Sequence, residues 1–81
     1  MARSISLSEL NKAVELFNNV LKENNEELIR TKDVPKEEVI EQFINKVLDF
    51  VDKDMAYKLP KEVIRVNNKY VAEKHKMARN Y

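Results

Sequence analysis

The 81-residue sequence contains no glycine and no cysteine, and each absence excludes a class of functional site. Glycine is the default residue where a backbone takes positive φ or approaches a ligand closely. Without it, the phosphate-binding loop, the dinucleotide fingerprint and the nucleophile elbow are all excluded. Tight two-residue hairpins also lose their strongest signal. The composition therefore favours helices joined by loops that use asparagine and proline.

The lack of cysteine removes disulfide bonds, thiolate zinc sites and thiol nucleophiles. Apolar runs are also short, since none approaches the ~20 residues that a membrane span needs. The opening residues, MARSISLSELNK, hold no apolar stretch of signal-peptide length. We therefore expect a soluble, cytoplasmic protein with no membrane partner.

Length and composition indicate one helical domain over residues 1–81. Hydrophobic residues make up 43% of the chain and charged residues 36%. The charged fraction exceeds the usual ~25%, which suits amphipathic helices with solvated outer faces. A formal net charge of only +1 points to no particular partner.

Local signals place the start of a first helix at Ser6. Ser6 and Glu9 form an S-x-x-E capping box, and Ile5 and Leu10 occupy the positions of a hydrophobic staple. The residues of one apolar face then recur at spacings of three and four: Leu7, Leu10, Val14, Phe17, Leu21 and Leu28. Asn24 interrupts this pattern, so Asn24-Asn25 either ends the helix or places a polar residue within the apolar face. We predict a helix over about 7–28.

Two prolines mark the next helices, because proline is favoured at the first helical position. Pro35 and Pro60 predict helices over about 35–52 and 60–78. The apolar residues of the second helix cover about half of its circumference, and we take it as the centre of the core. The three helices predict an all-α fold, an antiparallel three-helix bundle.

The apolar faces are wide for a lone three-helix unit, which predicts self-association. Leu16 and Val20 lie around the side of the first helix, away from its main apolar line. Tyr57 falls in the connection before the third helix and is a candidate for a contact. We interpret Leu16, Val20 and Tyr57 as interface residues of a homo-oligomer. The alternative is that they are ordinary surface apolar residues without a partner.

Charge is distributed unevenly along the chain. Residues 58–81 carry seven Lys/Arg and two Asp/Glu, whereas residues 1–57 carry eight and twelve. On a helix, one side of the third element collects a basic stripe with one amide: Lys61, Arg65, Asn68, Lys69, Lys76 and Arg79. Such a stripe predicts binding to a nucleic-acid backbone or to an acidic protein. The alternative is a solvated face with no ligand.

Patterns for catalysis or metal binding are weak. The pairs Glu23/Glu26 and Glu38/Glu41 lie outside the apolar stripes of their helices, so they are not expected to converge on one ion. His75 is the only histidine and has no matching ligand or catalytic partner. We therefore expect no catalytic residues, metal, cofactor or small-molecule substrate. The sequence favours a non-enzymatic helical interaction module that self-associates; the alternative is a small nucleic-acid-binding or regulatory protein.

Overall fold

Three α-helices make up most of the regular structure. The computed structural model describes residues 6–79, with side chains for residues 6–73. The helices are α1 (Leu7–Glu23), α2 (Lys36–Asp52) and α3 (Lys61–Arg79), and a short 3-10 helix, Ala56–Lys58, precedes α3. The described residues contain no strand. The predicted all-α three-helix bundle is confirmed, and the second and third helices begin and end within one residue of their predicted bounds.

The start of α1 is the predicted capping box. The Ser6 hydroxyl accepts a hydrogen bond from the Glu9 amide at 3.2 Å, and the Ser6 amide donates to the Glu9 carboxylate at 3.2 Å. The helix ends at Glu23, before the predicted residue 28, because Asn24 caps it. The Asn24 side chain donates to the Val20 carbonyl at 2.8 Å. The interruption of the apolar pattern at Asn24 therefore marks the end of the helix.

Both α1 and α2 end in Schellman motifs formed without glycine. Asn25 and Asp54 follow the two C-caps with φ angles of 57° and 59°. In each motif the next amide bonds back five residues, at 2.8 Å. Asparagine and aspartate tolerate this left-handed conformation better than other residues with a Cβ. A chain without glycine thus still makes two sharp helix ends.

The core is centred on three phenylalanines from α1 and α2. The Phe17 ring meets Phe43 edge-on with centroids 5.5 Å apart, and meets Phe50 with centroids 5.6 Å apart. All three are fully buried. Leu10, Leu21, Val63 and Val66 complete the fully buried set of large side chains. Since α3 supplies Val63 and Val66, all three helices share one core.

Residues 24–35, here called the connecting segment, join α1 to α2 and pack between them. Ile29 is buried there. The Asn18 side-chain amide bonds both the amide and the carbonyl of Ile29, at 2.8 and 3.3 Å. The Gln42 side-chain amide does the same for Arg30, at 2.9 Å for both bonds. The segment is therefore held to α1 on one side and to α2 on the other. We had placed Leu28 on the buried face of the first helix; it lies on the segment and is 42% exposed.

The last helix, α3, packs against both α1 and α2. It runs antiparallel to α1: Arg65 bonds Glu9 near the start of α1, and Lys58, just before α3, bonds Asn24 at its end. The short connection at 53–60 turns the chain from α2 back along that helix. One face of α3 thus lies in the core, and its opposite face is exposed.

Candidate functional site

Most of the described part of the basic stripe lies on the exposed side of α3. Lys61, Asn68 and Lys69 are exposed there. Lys76 and Arg79 belong to the same helix, but their side chains lie outside the described residues. Within the described part, Lys61 and Lys69 present their charge to solvent.

Arg65 differs from Lys61 and Lys69 because it is bound to carboxylates within the protein. Its guanidinium donates to Glu9 on α1 at 2.9 Å and to Glu62 one turn earlier on α3. Hydrogen bonds to Glu62 and then Glu9 raise the pKa of Arg65 above its ordinary value. The hydrogen bond from Arg65, followed by that from the Ser6 amide, lowers the pKa of Glu9. Arg65 thus joins α1 to α3 and is less available to an external anion.

The predicted contact residues Leu16, Val20 and Tyr57 differ in how far they are exposed. Leu16 and Val20 are half-buried and pack against the core, so the bundle itself already covers much of their surface. Tyr57 lies on the 3-10 helix and is 79% exposed. That these three residues form an interface stays a prediction.

A groove between α2 and α3 exposes aliphatic side chains that we had assigned to the core. Its volume is about 260 Å³, and its lining residues are Ile44, Val47, Leu48, Val51, Asn67 and Val71. Leu48 and Val51 are 55% and 48% exposed. Exposed apolar patches are features of protein–protein contact sites when they are large, and here two exposed aliphatic side chains, Leu48 and Val51, stand one turn apart in the groove. We call this feature the α2–α3 groove.

The groove exists because α2 has more apolar surface than the bundle buries. At 100° per residue, its buried residues occupy roughly 80° of the helix. These residues are Val39, Phe43, Val47 and Phe50. Ile40, Val51, Ile44 and Leu48 occupy the next 80° or so; Ile40 and Ile44 are half-buried, and Val51 and Leu48 are exposed. The expectation that the whole apolar face of α2 forms the centre of the core is therefore wrong for the outer half of that face. The feature of the sequence that indicated this uncovered half was the width of the apolar face of α2.

The two edges of the groove carry opposite charges. Around Leu48 and beyond it, α2 presents the exposed carboxylates of Glu37, Glu41 and Asp52. Across the groove, α3 presents the partly exposed Ile64 and then Lys61 and Asn68. An aliphatic strip thus separates three carboxylates on α2, here called the acidic edge, from one described cation on α3, Lys61, which with Asn68 forms what we call the basic edge.

Asn67 is the polar residue in the groove lining. Its side-chain oxygen is buried and accepts no hydrogen bond. A buried acceptor without a donor costs free energy of about 1–3 kcal/mol. An isolated asparagine in an apolar stripe can also restrict how a partner helix aligns, at a cost in stability. Asn67 therefore weakens the bundle at the point where the groove is open.

The remaining sequence candidates are the two glutamate pairs and His75. Among the described side chains, no group of three or more His, Cys, Asp or Glu residues is placed to hold a metal ion. Of the tested carboxylate pairs, Glu26 is engaged by Lys53 at 3.4 Å. His75 lies outside the described side chains. No described helix combines the length and the apolar character that crossing a membrane requires.

Comparison with known proteins adds no assignment. No family model matches the chain, and neither a curated protein nor a solved structure is similar enough to count as a match. The geometry of the α2–α3 groove and its two edges is thus the basis for a functional proposal.

Proposed function

We propose that this protein is a non-enzymatic helical assembly module that associates with a second copy of itself through the α2–α3 groove. The observation that carries the proposal is the exposed aliphatic strip centred on Leu48 and Val51. Burying a leucine or valine side chain fully contributes about 1.5–3 kcal/mol. A partner that covered the strip would gain about half of this free energy for each of Leu48 and Val51, which are 55% and 48% exposed.

A second copy suits the strip because the charges at its edges are complementary to each other. The acidic edge on α2 needs a basic partner surface, and the basic edge on α3 needs an acidic one. One copy of the chain supplies both surfaces on either side of an identical aliphatic strip. Closed two-fold dimers, in which the same patch serves both subunits, are the commonest oligomers.

The direct test is the sedimentation mass of the intact chain across micromolar to millimolar concentration. We expect the mass to rise from the 9.6 kDa of the monomer toward twice that value. Association through apolar contacts should persist at ~1 M salt, where exposed charges are strongly screened. A mass that stayed monomeric over the whole range would refute self-association.

A matched pair of variants tests whether the groove is the contact. Leu48 and Leu7 are almost equally exposed, at 55% and 58%, but Leu7 lies at the start of α1, outside the groove lining. We expect Leu48→Ser to weaken dimerisation roughly 30-fold or more, because each dimer loses two buried leucines. Leu7→Ser should leave it unchanged. Equal effects of the two changes would place the contact elsewhere.

Nucleic-acid binding is the competing outcome, using Lys61 and Lys69 with the rest of the basic stripe. The internal engagement of Arg65 counts against it. A titration with generic duplex DNA at increasing salt separates the two functions, since phosphate contacts weaken steeply with ionic strength. Salt-sensitive DNA binding by a chain that remains monomeric would overturn the assembly proposal.

We retain the cytoplasm as the proposed location, on the absence of cysteine from the sequence.

A further inference from the structure

The charges at the ends of α2 and α3 are not explained by their own helices. Asp52 is the last residue of α2, where the helix dipole disfavours negative charge. Lys61 is the first residue of α3, where the dipole disfavours positive charge. Both side chains are exposed, and the described residues show no ion pair for either. A contact outside the protomer would give each charge a stabilising partner.

Asp52 and Lys61 also lie at the same end of the bundle. The connection at 53–60 separates them, and α3 returns from there along α2. Asp52 belongs to the acidic edge of the groove and Lys61 to the basic edge. The aliphatic strip lies between the two edges, and it runs along both helices.

Two symmetric arrangements can bring this strip against its copy. If the two-fold axis is parallel to the strip, the acidic edge of each copy meets the basic edge of the other, and residues at the same end of the bundle stay together. If the axis crosses the strip at a right angle, acidic meets acidic and basic meets basic, with opposite ends of the bundle together. Like charges placed opposite each other disfavour the second arrangement.

We propose that the dimer has the first arrangement, with α2 of each copy packed against α3 of the other and Asp52 of each copy facing Lys61 of its partner. This inference rests on the proposed self-association, and it specifies the symmetry of the contact. The dimer then contains four helices, α2 and α3 from each copy, packed in two layers with the two aliphatic strips between them. Two equivalent charge contacts lie at one end of this contact. A two-fold contact of this kind closes and therefore stops at two copies.

Charge reversal with mixing tests this arrangement. We expect Asp52→Lys alone and Lys61→Glu alone each to weaken self-association about three- to tenfold at low salt, because each homodimer then contains two repulsive contacts. An equimolar mixture of the two variants should recover dimers, since every facing pair in the heterodimer has opposite charges. Both changes agree with the helix dipoles, so the variants should fold at least as stably as the parent chain. Sedimentation gives the association constants, and thermal unfolding checks the fold.

Reversals on α1 provide the control. Lys12 and Glu15 are exposed and lie outside the groove lining. Lys12→Glu, Glu15→Lys and their mixture should therefore self-associate like the parent chain. If the single α1 reversals also weakened self-association and their mixture restored it, the effect would come from net charge, and the proposed pairing would be refuted.

The outcomes separate this inference from the proposal on which it depends. If the parent chain is monomeric, the proposed function fails before the symmetry is tested. If the parent chain dimerises, Leu48→Ser disrupts the dimer and the Asp52 and Lys61 variants do not recover on mixing, the groove contact stands and the arrangement is wrong. Stronger dimerisation of Asp52→Lys alone would instead support the arrangement in which α2 faces α2.

Discussion

The two sides of α2 meet their neighbours in different ways. On the side toward α1, the connecting segment fills the space between the helices, Ile29 is buried, and side-chain amides bond the segment's backbone. On the side toward α3, the groove leaves Leu48 and Val51 exposed and the Asn67 oxygen without a donor. The first side bonds the segment to both helices, and the depression of about 230 Å³ that it leaves beside α2 is lined mostly by polar and charged side chains. The second side leaves a depression lined mostly by aliphatic side chains, which is why we assign the partner contact to it.

The largest expected effect is the loss of the buried Ile29 side chain on the side of α2 that faces α1. Ile29→Ala should lower the free energy of unfolding by about 2–4 kcal/mol, because Ile29 is buried and the cavity left behind is only partly refilled. Its neighbour Leu28 is 42% exposed, so Leu28→Ala serves as the control and should change stability by less than about 1 kcal/mol. Urea unfolding of the two variants measures the difference. Similar values for both would mean that the segment is not an integral part of the core.

The next effect concerns the amide that holds Ile29. Asn18→Ala should lower the free energy of unfolding by about 1–3 kcal/mol, since it leaves the amide and the carbonyl of Ile29 without their partner. Asn19→Ala provides the control, because Asn19 is the adjacent exposed residue on the same helix. Urea titration again gives the values. If the Asn19 variant were as unstable as the Asn18 variant, the loss of stability would come from the composition of the helix and not from the hydrogen bonds between Asn18 and Ile29.

On the open side, removal of a polar group should be favourable. Asn67→Leu replaces a side chain whose oxygen is buried without a donor, and it should raise the free energy of unfolding by about 1 kcal/mol. Asn68→Leu makes the same chemical change at the neighbouring exposed position and should alter stability by less than about 0.5 kcal/mol. The contrast is measured by thermal or urea unfolding. Destabilisation by Asn67→Leu would mean that Asn67 has a partner which the described contacts omit.

The smallest effect lies at the contact between α1 and α3, outside both sides of α2. Hydrogen bonds from Arg65 and then the Ser6 amide hold the pKa of Glu9 below its ordinary value of 4.5. The contribution of Glu9 to stability is therefore fully present above about pH 4.5 and is lost as the pH falls through the lowered folded-state pKa. The free energy of unfolding, measured from pH 7 to pH 2, should fall less steeply for Glu9→Gln than for the parent chain. If the two chains lost stability in parallel as the pH fell, Glu9 would not contribute to the acid sensitivity of the fold.

Local signals in the sequence predicted the helices well, and long-range packing explains what they missed. The capping box at Ser6 and Glu9 and the prolines at 35 and 60 act within one helical turn, so their spacing alone identifies the helix starts. The role of Ile29 depends on Asn18 and Gln42, which are eleven and twelve residues away from their backbone partners. No periodic pattern announces such bonds.

The candidate site was partly visible in the sequence. The wide apolar face of α2 and the run of cations in α3 were both evident, but periodicity does not show which part of a face its neighbours cover. The groove appears only when α1 and α3 together cover one half of that face and leave the other half open. The pairing of Arg65 with Glu9 likewise needs the packing of α1 against α3, because 56 residues separate the two.

The hydrogen bonds of the connecting segment limit how its length can change. Surface loops usually tolerate insertions, because their backbone groups can bond to water instead. Here consecutive residues, Ile29 and Arg30, bond to opposite helices through both their amides and their carbonyls. One residue inserted between Ile29 and Arg30 would separate the two bonded residues and would break one of these two sets of hydrogen bonds. Length variation is therefore incompatible with the fold at this pair.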